Sequence, residues 1–423
     1  MRFDMTPRGR WIVIGVAAVA GLAFAFVTPP LEVSDEVIHF YRPVVMAQGQ
    51  LLPQRRGEPD AAMVPDGIKD LVYVMLTQRN GDRYSAEQMR LAAAIPLQVD
   101  AKKPIRFPSW YTPVAYVPQT IAATLHLRPL IYLYLGRVLN LACALALVFL
   151  AMKIAPEYAG PFAAASLLPM TLSQFASLSA DALTIALAFL LTAMLLAERV
   201  SAATIVVAFI AALCKPGYFL IALLVLATRA RPRMKAAVIG ASAAGTALSF
   251  EYAHLAWYVQ RMNDPIDPAA QLRCMFNHPS LFVRAVVNDF GEHARSYLEG
   301  LVGRFGGVQQ VPLPLTIVLI EAAILLLAGL TAAPLTRTMR LLGAAIVAAS
   351  CFGIVLSQYL TWSFACSDVL QGLQGRYLLP LVPLAMALLA LPRTRWRVGW
   401  QAIVAVALIA NATALLRIAR HFW

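Results

Sequence analysis

Long apolar runs separated by short polar turns organise most of the chain. They cover 11–28, 130–152, 159–175, 180–197, 201–213, 217–229, 235–255, 313–333, 340–361, 377–391 and 398–416. A helix needs roughly 20 apolar residues to cross a bilayer, and shorter ones serve inside a bundle. The pattern therefore predicts about eleven membrane-spanning helices. The fifth and sixth runs are the weakest, because "CKPGY" (214–218) breaks them with a proline and a glycine. Read as one helix, they would place "RARPRMK" (229–235) on the same face as the acidic stretch at 32–36. Arg8 and Arg10 precede the first run as in a signal peptide, but the run ends in Thr28-Pro29-Pro30 without a small-residue cleavage site. We read it as a retained span.

Two long segments interrupt the runs, 29–129 and 256–312. Each carries apolar residues at helical spacing: Ile68, Leu71, Val72, Met75 and Leu76 in one, and Phe282, Ala285, Val286, Phe290, Ala294, Tyr297, Leu298 and Leu301 in the other. Such helices suit the membrane surface or the top of a bundle. The expected fold is all-α and polytopic, a single membrane domain over 1–423 with two long outer loops bearing juxtamembrane helices.

Composition agrees with this pattern. The 423 residues are 60% apolar and 13% charged, against roughly 25% charged in soluble domains. The net charge of +13 resides in loops between spans. That favours lipid head groups and phosphate-bearing substrates as partners and argues against nucleic acid. Lys- and Arg-rich short loops stay cytoplasmic. Arg8/Arg10, Lys153, Arg199, Arg229–Lys235, Arg337/Arg340 and Arg393–Arg397 all fall inside if the N-terminus is cytoplasmic and the C-terminus outside, at the cost of an outer "RIARHFW". The five cysteines, 143, 214, 274, 351 and 366, show no metal spacing. Cys274 and Cys366 fall in outer loops, where a disulfide between them is an option.

Ionisable groups gather at one interface. Asp35, Glu36 and His39 open the first outer loop, and Arg137, Asp181, Lys215 and Arg376 lie within about two turns of the outer end of a span. Glu251 approaches that level too, whereas Glu321 sits nearer mid-bilayer, outside this scheme. Transporters place their sites near the midplane, so an outer-interface site under long loops suits a lipid-linked substrate instead. Asp35 can act as a general base; Lys215, Arg376 and Arg137 can hold a phosphate. Together these groups suit attack on the anomeric carbon of a phosphate-held sugar, with inversion. Asp35 and Glu36 can equally cap the helix that follows, Asp181 can cap the fourth span, and Arg137 can pair with Asn140 or Asp181.

"PPLEVSDEVIHFYRPVVMAQGQLLP", "WYTPVAYVPQTIA", "LSADAL", "CKPGY" and "LQGLQGRYLLPLVP" resemble, in this order, the signatures of the bacterial membrane family catalogued as domain of unknown function 2142. That family in turn looks like the GT-C integral membrane glycosyltransferases, which use polyprenyl-phosphate sugars. The resemblance implies Asp35, or Glu36 beside it, as catalytic acid. It implies substrate contacts from Asp181 and Lys215. Read from the residues themselves, Arg137 and Arg376 are phosphate contacts, and Gln374 joins Arg376 as a candidate contact. His39 lies one helical turn from Asp35 and can orient it. Tyr218 and Tyr377 are substrate contacts or members of an interfacial aromatic belt, and Lys215 can equally snorkel to the interface. The order Lys215-Pro216-Gly217 departs from the Lys-Gly-Pro of related enzymes. No metal is obligatory, although Asp35, Glu36 and Asp181 offer the hard oxygens that Mg²⁺ or Mn²⁺ accept. The implied partners are a polyprenyl-phosphate sugar donor, a glycan or lipid-linked acceptor and membrane lipids, at the outer face of a bacterial inner membrane. Two other readings stay open. One is an O-antigen ligase or polymerase relying on His278, Arg284, His293 and Arg295; the other is a non-catalytic flippase or transporter in which Glu321 matters.

Overall fold

A computed structural model describes residues 5–52, 62–77, 83–105, 110–260, 266–307, 309–392 and 399–423, with the backbone alone for 256–260. The basic cluster 393–397 lies outside the described residues. The chain is mostly helical, 75%. Among the described residues, four helices are long and apolar enough to cross a membrane: Pro7–Val27, Pro129–Ile154, Arg337–Trp362 and Trp400–Phe422. Shorter apolar helices run over Asp181–Leu196, Ala202–Cys214, Pro216–Ala227, Leu315–Leu330 and Gly375–Leu388, and a 29-residue helix covers Pro232–Gln260.

Three elements differ from the sequence reading. The run 159–175 is two helices, Ala159–Leu167 and Pro169–Phe175. Pro169 offers no N–H and forces Leu168 into an extended conformation (φ −53°, ψ 134°). Pro216–Ala227 is a 3-10 helix of 12 residues. At ~2.0 Å rise it reaches roughly 24 Å, about a third further than an α-helix of the same length, which is how so short a run approaches bilayer thickness. The penultimate run also begins as a 3-10 turn, Gly375–Leu381, before continuing as Val382–Leu388. The long loops are not purely helical either. Ala62–Pro65 pairs antiparallel with Lys102–Ile105, and Arg304–Phe305 with Val311–Pro312.

Asp181–Leu196 forms the centre of the bundle. Every residue from Ala182 to Leu196 is buried, as expected of a helix that is apolar all round, and it packs on Pro129–Ile154. Outward positions of the long helices are apolar as well: Val19, Phe26, Leu341, Phe352, Leu408 and Leu416 are exposed, a surface suited to lipid.

The first and last helices lie side by side and run in parallel. Gly9 packs on the Trp400 indole at one end. At the other, Trp423 Nε1 donates to the Val27 carbonyl (2.7 Å) and Tyr84 N to the Phe422 carbonyl (2.8 Å). The two termini are thus at opposite ends of the bundle. Ile154, Arg199, Arg229 and Thr336 line one cleft at the end away from Asp35, so the basic turns converge there. A disulfide joins Cys274 to Cys366. It ties helix Pro268–Asn277 to the segment that follows Arg337–Trp362, at the same end as Asp35.

Candidate functional site

Asp35 immediately precedes helix Glu36–Ala47 and has a left-handed backbone (φ 65°), a conformation that Asp tolerates better than most side chains. Its carboxylate makes no capping hydrogen bond to the helix. Instead Oδ2 accepts from Arg376 Nη2. The Asp35 side chain is 44% exposed while that of Arg376 is 4% exposed, so this carboxylate stands at the rim with its cation behind it. Arg376 is held from below by the Ser34 carbonyl (3.2 Å) and Gln174 Oε1 (3.4 Å), both accepting from Nη1.

Glu36, one residue on, faces the opposite way. It is fully buried and accepts four hydrogen bonds: from Arg137 Nε (2.8 Å) and Nη2 (2.5 Å), Leu178 N (2.9 Å) and Leu31 N (3.0 Å). Arg137 directs its remaining N–H groups to the carbonyls of Ala25, Thr28 and Pro29. It therefore pairs with neither Asn140 nor Asp181. Asn140 donates to the Ser177 carbonyl (2.7 Å). Neighbours in sequence, the two acids occupy different environments: one open beside a cation, the other locked inside the scaffold.

The second ion pair of the site is Lys215 with Asp181. Lys215 follows helix Ala202–Cys214 and precedes Pro216, with an extended backbone (φ −155°, ψ 114°) that turns its side chain back toward Asp181 in the first turn of Asp181–Leu196. The ammonium lies over the Tyr111 ring (4.9 Å) and the Tyr377 ring (5.2 Å), a cation–π arrangement. Tyr218 Oη donates to the Tyr377 carbonyl (2.7 Å), which fixes the turn bearing Arg376. Both side chains of the pair are largely buried, 14% and 13% exposed.

His39 lies between the two pairs. Burial pushes its imidazole down to about 4, against the opposing pull of Asp35 and Asp181, so it is neutral near pH 7. Nδ1 is 2.8 Å from the Tyr116 hydroxyl, with Tyr111 and Tyr116 rings alongside. Its bond is to this tyrosine rather than to Asp35. Gln374 precedes Arg376 and lines a cavity of about 70 Å³ next to it.

Residues 19–385 match the family described as predicted membrane protein (DUF2142). The chain belongs to the DUF2142 family. No curated protein and no solved structure matches it significantly. In this DUF2142 member the structure brings together Asp35, His39, Asp181, Lys215, Tyr218, Gln374, Arg376 and Tyr377, and sets Glu36 and Arg137 beneath them as a brace.

Asp35, Glu36 and Asp181 do not converge as a ligand set, since each carboxylate faces its own cation. Among the described residues no group of three or more His, Cys, Asp or Glu side chains is placed to hold a metal. His278, Arg284, His293 and Arg295 are exposed; His293 pairs with Asp289 (3.2 Å) and Arg295 with Glu299 (2.7 Å). Sequence reasoning passed over Gln174 and Arg304. A lone glutamine in an apolar run is a signal for the first; for Arg304, between Gly303 and Phe305 in a loop, nothing in the sequence sets it apart.

Proposed function

We propose that this protein is a GT-C-type glycosyltransferase that moves a monosaccharide from a polyprenyl-phosphate donor to a glycan or lipid-linked acceptor. The observation that carries this reading is the convergence of two carboxylate–cation pairs, Asp35–Arg376 and Asp181–Lys215, at one end of the bundle. Each cation holds a carboxylate that a phosphate can replace. A donor phosphate drawn to Arg376 and Lys215 would release Asp35 from its pair and leave it free to accept a proton.

In the transfer, an acceptor hydroxyl attacks the anomeric carbon and passes its proton to Asp35. The bond from that carbon to the phosphate oxygen breaks with its electron pair on the phosphate. Arg376 and Lys215, both largely buried, hold the developing charge. Attack from the face opposite the leaving group inverts the anomeric centre. Neutral His39 and its tyrosines form a wall for the sugar. The Cys274–Cys366 disulfide supports an outer placement of this end, since disulfides persist in oxidising compartments. The basic turns at the far end agree with it.

The test is the mass spectrum of surface glycans and lipid-linked precursors from a deletion strain complemented with wild type or Asp35→Asn at matched protein level. Loss of one sugar-sized mass, restored by wild type and not by Asp35→Asn, is the expected result. Full restoration by Asp35→Asn would overturn the base assignment. Label crossing sealed vesicles without a new glycosidic product would favour transport instead.

A further inference from the structure

A small polar cavity of about 70 Å³ lies beside Arg376, lined also by Ser34, Ser296, Tyr297, Arg304 and Gln310. Two of these residues are arginines, and each has a buried Nε–H with no acceptor among the described residues. Their other nitrogens are engaged. Arg304 donates from Nη1 to Gln310 Oε1 (3.0 Å) and from Nη2 to Glu299 Oε2 (2.5 Å). Arg376 is held by Asp35, Ser34 and Gln174. Both guanidinium groups are thus oriented by their terminal nitrogens while one donor on each is left over. Glu299 is itself shared between Arg295 and Arg304, so one carboxylate balances two cations here.

Buried donors without acceptors are rare in folded proteins. A space of about 70 Å³ walled by two guanidinium groups, each with a donor to spare, has the charge and the room to take a small oxyanion. We propose that this cavity is a second oxyanion subsite, which takes a phosphate or carboxylate group carried by the substrate, distinct from the donor phosphate held at Lys215. This rests on the glycosyltransferase reading and narrows it to substrates with a second anionic group. That group is either the diphosphate link of a lipid-linked acceptor or the carboxylate of an acidic sugar. Because Arg376 touches Asp35 on one side and the cavity on the other, occupancy of the cavity also bears on the base.

The experiment titrates the purified full chain with inorganic phosphate, pyrophosphate, glucuronate and, as a neutral control, glucose, following thermal unfolding. Saturable stabilisation by an oxyanion and none by glucose is expected, with apparent affinity falling about ten-fold or more in Arg304→Gln. Pyrophosphate binding best would assign the group to a diphosphate link, and glucuronate binding best to an acidic sugar. Ser296→Leu, which fills the cavity without removing a charge, should abolish the effect and covers the case in which Arg304→Gln does not fold. Binding lost in Lys215→Gln but unchanged in Arg304→Gln and Ser296→Leu would overturn the subsite while leaving the donor site in place. Absence of any oxyanion binding by wild type would overturn it too, leaving a cavity that holds water.

Discussion

Arg137 grips Glu36 through two parallel hydrogen bonds at full burial, and its other three N–H groups close on the carbonyls of Ala25, Thr28 and Pro29. The pair joins the end of the first helix, the start of the first loop and helix Pro129–Ile154. Removing one partner strands a charge in the interior, which costs about 3–5 kcal/mol. Arg137→Met is therefore expected to unfold at much lower denaturant concentration, or to fail to accumulate. The double variant Glu36→Leu/Arg137→Leu should not recover wild-type stability, because the Ala25 and Thr28 carbonyls lose their donor. Unfolding in detergent, read by intrinsic fluorescence, distinguishes these cases.

Asp35→Asn should behave in the opposite way. Its side chain is partly exposed, although the Arg376 guanidinium behind it is buried, so stability is expected to fall by well under the about 3–5 kcal/mol of a fully buried pair. Transfer is expected to fall by about 10²–10⁴. A variant that lost stability and activity together would make Asp35 a scaffold residue like Glu36.

His39 gives a pH signature. Its folded value, about 4, lies below the ordinary 6.5, so the unfolded chain binds the proton more readily. The stability contributed by neutral His39 is present above about pH 6.5 and is lost as pH falls through about 4. Subtracting the stability profile of His39→Gln from that of wild type should isolate this slope between those two pH values. A flat difference would mean that the imidazole is not held neutral.

Thiol labelling checks the disulfide. Cys143, Cys214 and Cys351 are free, so denatured, unreduced protein should take up three maleimides and reduced protein five. Because the bridge spans 92 residues, its loss is expected to lower stability by about 4–5 kcal/mol in the chain-entropy account. Five adducts without reduction would dismiss the bond.

Gly375 lies against helix Pro279–Val302. A Cβ there would meet the Tyr297 carbonyl oxygen at 1.9 Å and Leu301 N at 2.6 Å, both main-chain atoms that cannot give way alone. Gly375→Ala should push apart the two segments bearing Arg376 and Arg304. Loss of oxyanion binding should then accompany a drop in thermal stability.

The site was legible because its chemistry is dense: Asp35, His39, Lys215 and Arg376 sit at the ends of apolar runs, where a charge is noticed. What escaped was pairing. Nothing in "SDEVIHF" says that Asp35 faces out and Glu36 in, because that depends on the left-handed turn at Asp35 and on Arg137 arriving from a helix a hundred residues later. The runs were equally visible, though their ends shifted by several residues (398–416 against Trp400–Phe422); their internal geometry was not. Hydropathy reads length in residues, whereas the 3-10 segment Pro216–Ala227 obtains its length from rise per residue, and the break at Leu168 follows from a single proline.

The parallel first and last helices have a practical corollary for anyone handling this protein. If the first and last helices both cross the membrane, reporters fused to the two ends should occupy different compartments whichever way the chain inserts. If the N-terminus is cytoplasmic, an N-terminal fluorescent protein would mature in the cytoplasm, while a C-terminal one would be exported and need a fold that tolerates oxidation. A paired fusion of alkaline phosphatase and a cytoplasmic reporter would read the topology in one plate assay.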